Sequence, residues 1–496
     1  MKLAVQDDEK KMLVRQVNMN SSNSSRPPST DGFRRPKQRS LRENSGLKQG
    51  GQPGHTGRNI MLPHDPDKQV EHYPQKCSEC PNFQKCKSKA VFICTESRFV
   101  VDVVISTEVT EHRIMEPDCA KTQCQNSSEG SLKGTFPEDI KAYIQYGNSL
   151  TSLVSLLSGY GFMSYDRITK LVRDLTGLSI STGTAVAMVS RSASKVAPGI
   201  EDIRKRLLSS KIINTDETGM RINGKLNWVH NTSNSYYTLQ TVNEKRGKVG
   251  INHHGILQEF EGIAIHDCFA PYFSYEFGHG LCCAHLLREL KGIHELAPEH
   301  SWVIMFTNLL VSLNRAKNSV LRKGGSGFDP NRIERILRRY DFILDTADRE
   351  CPKTKKKPKR AIAVERALIK RLRKHKEMIC HFVTDFDVPF DNNQAERDVR
   401  YAKIKMKVSG QFRDLSHTQE FLDIISYIGT ARKNVVSAFA ALTAAFKGNT
   451  DIFSDEVSQT SKSGHISEGV LNSYSSWLAF LTGFLRFSTN YIQIYI

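Results

Sequence analysis

No stretch of this chain is apolar for long enough to cross a bilayer. The longest run without a charged residue, 142–165, has 24 residues but contains Gln145, Asn148, three glycines and five serines. The run 469–485 has only 17 and is polar in places, whereas a spanning helix needs about 20 predominantly apolar residues. Residues 1–20 are charged and have no apolar centre, so no secretory signal is expected. Acidic residues are in deficit as well: 52 stand against 70 Lys and Arg, a formal net charge of +18. This excess calls for a polyanionic partner, nucleic acid before an anionic membrane. In a chain this long, basic and signal-free, the eleven cysteines read as metal ligands or buried thiols rather than disulfides. What is present is 496 residues with 39% hydrophobic side chains, enough for several cored domains.

Residues 1–60 carry 12 basic and 5 acidic side chains and turn to Ser, Pro, Gly and Arg after Asn20. Such a segment buries too little to order itself, and reads as a solvated linker or as a basic arm along DNA phosphates. A glycine-rich knot at 50–57 follows, and then six of the eleven cysteines fall between Cys77 and Cys124. Cys77-x2-Cys80 and Cys119-x4-Cys124 flank a stretch, 97–109, with strand character. Four thiolates brought together by a hairpin would make a closed structural zinc site. Ordinary buried cysteines are the competing reading, and Cys86, Cys94 and His112 are alternative ligands. Residues 136–208 have a helical pattern, with 165–175, a turn at Gly177 and Ser181 as the cap of a further helix. That pair fits a helix-turn-helix, or plain helical packing.

Three acids stand out beyond residue 210. Ile212, Ile213, Asn214, Thr215 and Asp216, and again Ile263, Ala264, Ile265, His266 and Asp267, are short β-rich runs that end in Asp. Asp216 is expected to end a first strand; Asn223-Gly224 marks a hairpin after it, and Asp267 ends a strand beside the first. Glu396 lies on the first turn of a helix capped by Asn393, where a capping-box role would suffice alone. Together the three can hold two divalent cations in a ribonuclease-H-like core. No side-chain nucleophile is evident, and two metal ions roughly 3.5–4 Å apart can activate a water or a sugar hydroxyl against a phosphodiester. Oxygen ligands select Mg²⁺, with Mn²⁺ as a substitute. A helix over 281–296 carries Cys283, His285, Arg288 and Glu289 beside this site or, in the case of Cys283, in the core. The 128 residues between Asp267 and Glu396 read mostly as helix, with 302–316, 331–345 and 364–381 the clearest segments. Within them, 353–376 holds 12 basic residues and one acid: a solvated face, or a grip on DNA through residues such as Lys355, Lys356 and Lys357. Arg397, Arg400, Lys403, Lys405 and Lys407 continue the basic theme after Glu396.

The segments around Asp216, Asp267 and Glu396, namely Thr215-Asp216-Glu217-Thr218, His266-Asp267-Cys268-Phe269-Ala270-Pro271-Tyr272 and Asp391-Asn392-Asn393-Gln394-Ala395-Glu396-Arg397, resemble the acid motifs of bacterial DDE transposases of the insertion-sequence-66 type. The resemblance extends to Ser24-Ser25-Arg26-Pro27-Pro28-Ser29, the glycine knot, the cysteine pairs and Cys283-Ala284-His285-Leu286-Leu287-Arg288-Glu289, covering about residues 20–445 in order. It implies that Asp216, Asp267 and Glu396 form the metal-binding catalytic triad and that the cysteine region is a zinc-finger-like DNA-binding module. Two departures are a first 20 residues shorter in helix than the family's zipper-like start, and a second cysteine pair wider than CxxC. The fold expected is multi-domain α+β, with a ribonuclease-H-like catalytic core. Its parts are a basic arm (1–60), a zinc-binding module (61–130), a helical region (131–209), the catalytic domain (210–448) with a helical insertion at about 297–385, and a tail (449–496). The function implied is DNA transposition, by an oligomer acting on element ends and target DNA in the bacterial cytoplasm on the nucleoid, with accessory proteins of the same element as further partners and no membrane. The alternative is a catalytically silent, zinc-dependent DNA-binding descendant of such an enzyme.

Overall fold

The structure is a computed structural model that describes residues 65–89, 92–103, 105–116, 133–352 and 360–453, residues 360–363 by backbone only. The basic arm, Cys119, Cys124, Lys355, Lys356, Lys357 and most of the tail lie outside the described residues. The described chain falls into two units, one within 65–113 and one from residue 114 on.

The first unit has two short helices, α1 (Gln75–Ser78) and α2 (Phe83–Ser88). Tyr73, Phe83 and Phe92 form its aromatic cluster, with the Tyr73 centroid 5.0 and 4.8 Å from the other two. The strand expected over 97–109 does not form: the described residues there have no regular structure, and Val100, Val103 and Val109 are exposed. Three β-branched residues without a neighbouring strand or an apolar face to cover them gain nothing from extension.

The second unit is a mixed α+β structure. Three helices open it: α3 (Asn148–Gly159), α4 (Tyr165–Thr176) and α5 (Thr182–Leu208). Gly177 ends α4 at φ 74° and Ser181 caps α5 by accepting from Thr184 N–H, as the sequence indicates. The first strand, β1 (Ile212–Ile222), joins β2 (Lys225–Ser233) through Asn223 and Gly224, at φ 45° and 74°. Two positive φ values make the twisted turn for which Asn-Gly is suited. After β3 (Thr238–Asn243) come α6 (Lys248–His253), β4 (Ile263–His266), a 3-10 turn (Ala270–Ser274) and β5 (Gly278–Leu281). The sheet order is β3-β2-β1-β4-β5. The β1–β2 and β2–β3 pairs are antiparallel, while β4 lies parallel to both β1 and β5.

Two expectations change here. Asp216 does not end a strand, because β1 runs on for six residues past it, paired throughout with β2. Thr215, Glu217 and Thr218 around it are buried and each pairs with a residue of β2. The β5 strand, Gly-His-Gly-Leu, has almost no β propensity and forms because β4 offers it a parallel edge.

α7 (Cys283–His294) follows β5, then α8 (Ser301–Arg322), α9 (Pro330–Glu350), α10 (Arg360–Lys374) and α11 (Lys376–Thr384) make up the helical insertion. The single helix expected over 364–381 is two, divided at His375, which stacks on Phe273 with centroids 4.4 Å apart. Trp302, Phe306 and Tyr340 are buried among these helices, and Tyr340 donates to Leu372 O at 2.8 Å.

α12 (Asn393–Ser409), α13 (Leu415–Lys433) and α14 (Ala438–Ala445) complete the unit. α13 does more than pack on the sheet. Along the β3 edge, the N–H groups of Thr238, Gln240 and Val242 donate to Thr430 Oγ1, Ser426 Oγ and Gln419 Oε1, each at 3.0 Å. A helix thus satisfies an edge that would otherwise be open to another strand. One core joins Val154, Ile168, Val189 and Ile203 of α3–α5 to Ile213, Leu239 and Ala264 of the sheet and to Ile424 and Tyr427 of α13. At Gly199 a Cβ would stand 2.7 Å from the Tyr427 ring, so only glycine lets α5 and α13 approach this closely. α5 is therefore a central core helix. Among the described residues no helix is long and apolar enough to cross a membrane.

Candidate active site

The three acids arrive from three elements. Asp216 sits in mid-β1 opposite Asn231 of β2. Asp267 follows directly on β4, and its Oδ1 accepts from Phe269 N–H at 2.8 Å, which turns the chain off the sheet. Glu396 is on the first turn of α12, and its N–H bonds back to Asn392 O. The helix cap is Asn392 rather than Asn393, and its side chain does not bond to the helix. Instead Asn392 accepts from Asn214 Nδ2 at 2.9 Å and donates to Thr215 O at 2.8 Å, while its N–H reaches Cys282 Sγ at 3.2 Å. The start of α12 is thereby tied to the two residues before Asp216 and to the residue after β5. Asp391 accepts from Asn393 N–H at 3.0 Å and shapes the turn into the helix. The Asp-Asn-Asn segment is thus the joint that sets Glu396 against β1, and no capping box forms.

The acids are close enough to disturb one another. Burial raises the pKa of Asp216 well above the ordinary carboxylate value, and the charges of Glu217, Asp267 and Glu396 raise it further, with His285 acting against them. Glu217 is an acid that its sequence context does not single out. It is buried, accepts from Arg246 Nε and Nη2 at 2.9 and 2.7 Å, and receives the Tyr272 hydroxyl at 2.6 Å. Burial followed by the Asp267 charge raises its pKa, and Tyr272 and Arg246 pull it back. Arg246 lies over the Phe269 and Trp228 rings, 4.2 and 4.8 Å from their centroids. Glu217 therefore joins β1, the segment after β3 that carries Arg246, and the turn following Asp267.

α7 supplies the flank. His285 Nδ1 is 3.8 Å from Glu396 Oε1 and Arg288 Nη2 is 3.5 Å from Glu396 Oε2. Cys282, His285 and Glu396 have ligand atoms within 4.8 Å of one another. Two of these atoms, His285 Nδ1 and Glu396 Oε1, are buried without a hydrogen-bond partner. Orphaned lone pairs next to a group of mutually repelling carboxylates suit a divalent cation, which satisfies the former and neutralises the latter. The donors that converge are a thiol, an imidazole and a carboxylate, and neither Asp216 nor Asp267 belongs to that group. Cys283, by contrast, is fully buried in the core, and Glu289 pairs with Arg371.

The basic residues divide. Arg397 and Arg400 are exposed on α12 beside Glu396, and Arg397 donates to Gln394 Oε1 at 2.8 Å. Lys403 is half-buried. Lys405 does not belong to a DNA-facing stripe: it is buried and donates to Ser158 O, Ser158 Oγ and Met163 O, and burial lowers its pKa to about 8. In the basic run of the insertion, Arg366, Arg371, Arg373 and Lys376 pair with Asp348, Glu289, Asp345 and Asp341. That part of the run holds α10 and α11 to α7 and α9. Cys77 is half-buried and Cys80 exposed, and among the described residues neither stands with two further ligands.

A family model described as Transposase IS66 family matches residues 144–419, which include Asp216, Asp267 and Glu396. The chain belongs to the IS66 family of transposases. Membership accounts for the basic composition, since the partner of a transposase is DNA, and it carries an expectation of divalent metal. A second model, of a family of unknown function (DUF6444), matches residues 6–60, within the basic N-terminal segment. No curated protein matches the chain.

Proposed function

We propose that this IS66-family chain binds the ends of its mobile element and catalyses metal-dependent DNA cleavage and strand transfer, with Asp216, Asp267 and Glu396 as a DDE triad on a ribonuclease-H-like core. One observation carries this reading. A five-stranded sheet ordered β3-β2-β1-β4-β5 has one acid on its central strand, one at the end of the adjacent parallel strand and one on a helix pinned to the first by Asn392. Asp216, Asp267 and Glu396 would hold Mg²⁺ or Mn²⁺. The chemistry such ions supply when bound is activation of a water or sugar hydroxyl and stabilisation of the leaving oxygen of a phosphodiester. The protein's own part is positioning: Arg246 and Tyr272 fix Glu217, the neighbour of Asp216 in β1, and Arg288 lies against Glu396. A strand-transfer assay with Mg²⁺ and element-end DNA tests the proposal. Joined products are expected, and specific binding without any metal-dependent product would assign the chain to the silent DNA-binding alternative.

On this reading residues 61–130 are a zinc-finger-like DNA-binding module held by Cys77, Cys80, Cys119 and Cys124, and residues 210–448 the catalytic domain with its insertion at about 297–385. The arm (1–60) and the helical region (131–209) precede them in their turn, and the protein works as an oligomer on bacterial DNA, in the cytoplasm and with accessory proteins of its element. The phosphate grip is assigned to Arg397, Arg400 and Lys403 and to Lys355, Lys356 and Lys357. Neutralising either trio should weaken binding on any DNA sequence and flatten the slope of log affinity against log salt by roughly 0.9 for each phosphate left without its cation. An unaltered slope removes that trio from the interface.

A further inference from the structure

We propose that His300, Cys351 and Glu365 form a structural zinc site that clips the start of α8 and the end of α9 to α10. His300 is the N-cap residue of α8, Cys351 the C-cap residue of α9, and Glu365 lies in α10. Their ligand atoms make a compact triangle: His300 Nδ1 to Glu365 Oε2 3.3 Å, Cys351 Sγ to Glu365 Oε2 3.1 Å and Cys351 Sγ to His300 Nδ1 3.7 Å. Zinc bonds of about 2.0–2.3 Å at tetrahedral angles separate neighbouring ligands by roughly 3.3–3.6 Å. The triangle is therefore already one face of a tetrahedron, leaving the fourth position for water.

The chemistry of the donors selects the ion. A thiolate with an imidazole and a carboxylate is a zinc set, not one for Mg²⁺ or Ca²⁺. Zn²⁺ with one thiolate and one carboxylate is also electrically neutral, which suits a site where Cys351 is buried and His300 and Glu365 are only 19% and 15% exposed. Trp302 is fully buried and its indole Nε1–H has no hydrogen-bond partner. That indole faces the Cys351 sulfur. A neutral thiol is a poor acceptor, whereas a metal-bound thiolate would give the orphaned N–H its partner. Arg366 donates to Cys351 O at 2.8 Å and holds the ligand's backbone still. Glu350 is excluded as a fourth ligand because it caps α8 through Ser301 Oγ and Trp302 N–H. In the metal-free protein the Cys351 thiol donates to Glu365, and zinc binding displaces that proton.

The test compares the zinc content of the full-length chain, stripped with chelator and reloaded with zinc alone, with that of Cys351→Ser, His300→Gln and Glu365→Gln. Each variant should hold about one zinc fewer per chain than the parent. The cysteine module proposed above is common to all four proteins and cancels in the comparison. Cys77→Ser with Cys119→Ser should remove a different zinc, so that combining these changes with Cys351→Ser lowers the content by about two. Equal zinc in the parent and the three folded single variants overturns the proposal. Should the variants not fold, anomalous diffraction at the zinc edge from crystals of the parent chain decides: a peak between the three side chains is expected, and its absence refutes the site.

Discussion

Asp216→Asn, Asp267→Asn and Glu396→Gln are each expected to lower strand transfer by at least roughly 10³-fold while DNA affinity stays within a factor of about three. A metal ion supplies several kcal/mol of charge stabilisation to phosphodiester chemistry, and each 1.36 kcal/mol is about a factor of ten in rate. The amide versions keep the size and most hydrogen bonds of each side chain. An amide oxygen at position 216 can still accept from Glu217 N–H, and one at position 267 from Phe269 N–H, as the native carboxylates do. What they lose is charge at a place where Glu217, Asp267, Glu396 and Asp216 crowd together. Binding should survive because phosphate contacts come from Arg and Lys. The three substitutions should also raise thermal stability slightly in metal-free buffer, since each relieves repulsion among crowded carboxylates, and that gain should shrink as Mg²⁺ is added. A variant that retains near-normal strand transfer takes its residue out of the triad.

The strands that carry the two aspartates are legible in the sequence because an apolar β-branched run precedes each, and Asn-Gly between Ile222 and Lys225 predicts the hairpin. What is not legible is everything that depends on contacts between distant segments. Asn392 reads as part of a capping segment because Asn usually caps; only the fold reveals that its side chain is spent on Asn214 and Thr215, 178 and 177 residues away. Glu217 looks like half of an acidic pair until Arg246 and Tyr272 close on it. Lys405 shares its helix and its chemistry with Arg397 and Arg400, yet faces inward to carbonyls at the end of α3. Helical periodicity separates them, because Arg397, Arg400 and Lys407 lie towards one face of the helix and Lys405 points away from it. The strand predicted over 97–109 does not form for the same reason that β5 does: a partner edge decides, and composition does not report it.

Lys433→Met is expected to cost about 3–5 kcal/mol of stability, by stranding Asp398 two residues from Glu396. Lys433 Nζ donates to Asp398 Oδ2 at 2.8 Å, to Thr238 Oγ1 at 2.6 Å and to the carbonyls of Asn234 and Tyr237 at 2.8 and 3.0 Å. Only 15% and 9% of the two charged side chains is exposed, so water cannot replace the missing partner. An exposed pair would be worth no more than about 1 kcal/mol, whereas breaking a buried one leaves an uncompensated charge. Asp398 also accepts from Gln394 Nε2 at 3.0 Å, and its carbonyl accepts from Gln240 Nε2 at 2.9 Å. The network thus locks α12 to α13 and to the β3 edge. Removing both charges together, as Lys433→Met with Asp398→Asn, should recover more than half of the loss, because no charge is then left unpaired. Chemical denaturation of the parent, both single variants and the double variant gives the coupling energy directly. A single-variant cost under about 1 kcal/mol would mean the pair is solvated in solution. A full cost with no recovery in the double variant would assign the stability to the hydrogen bonds of Lys433 to the neutral acceptors Asn234, Tyr237 and Thr238, and not to its pairing with Asp398.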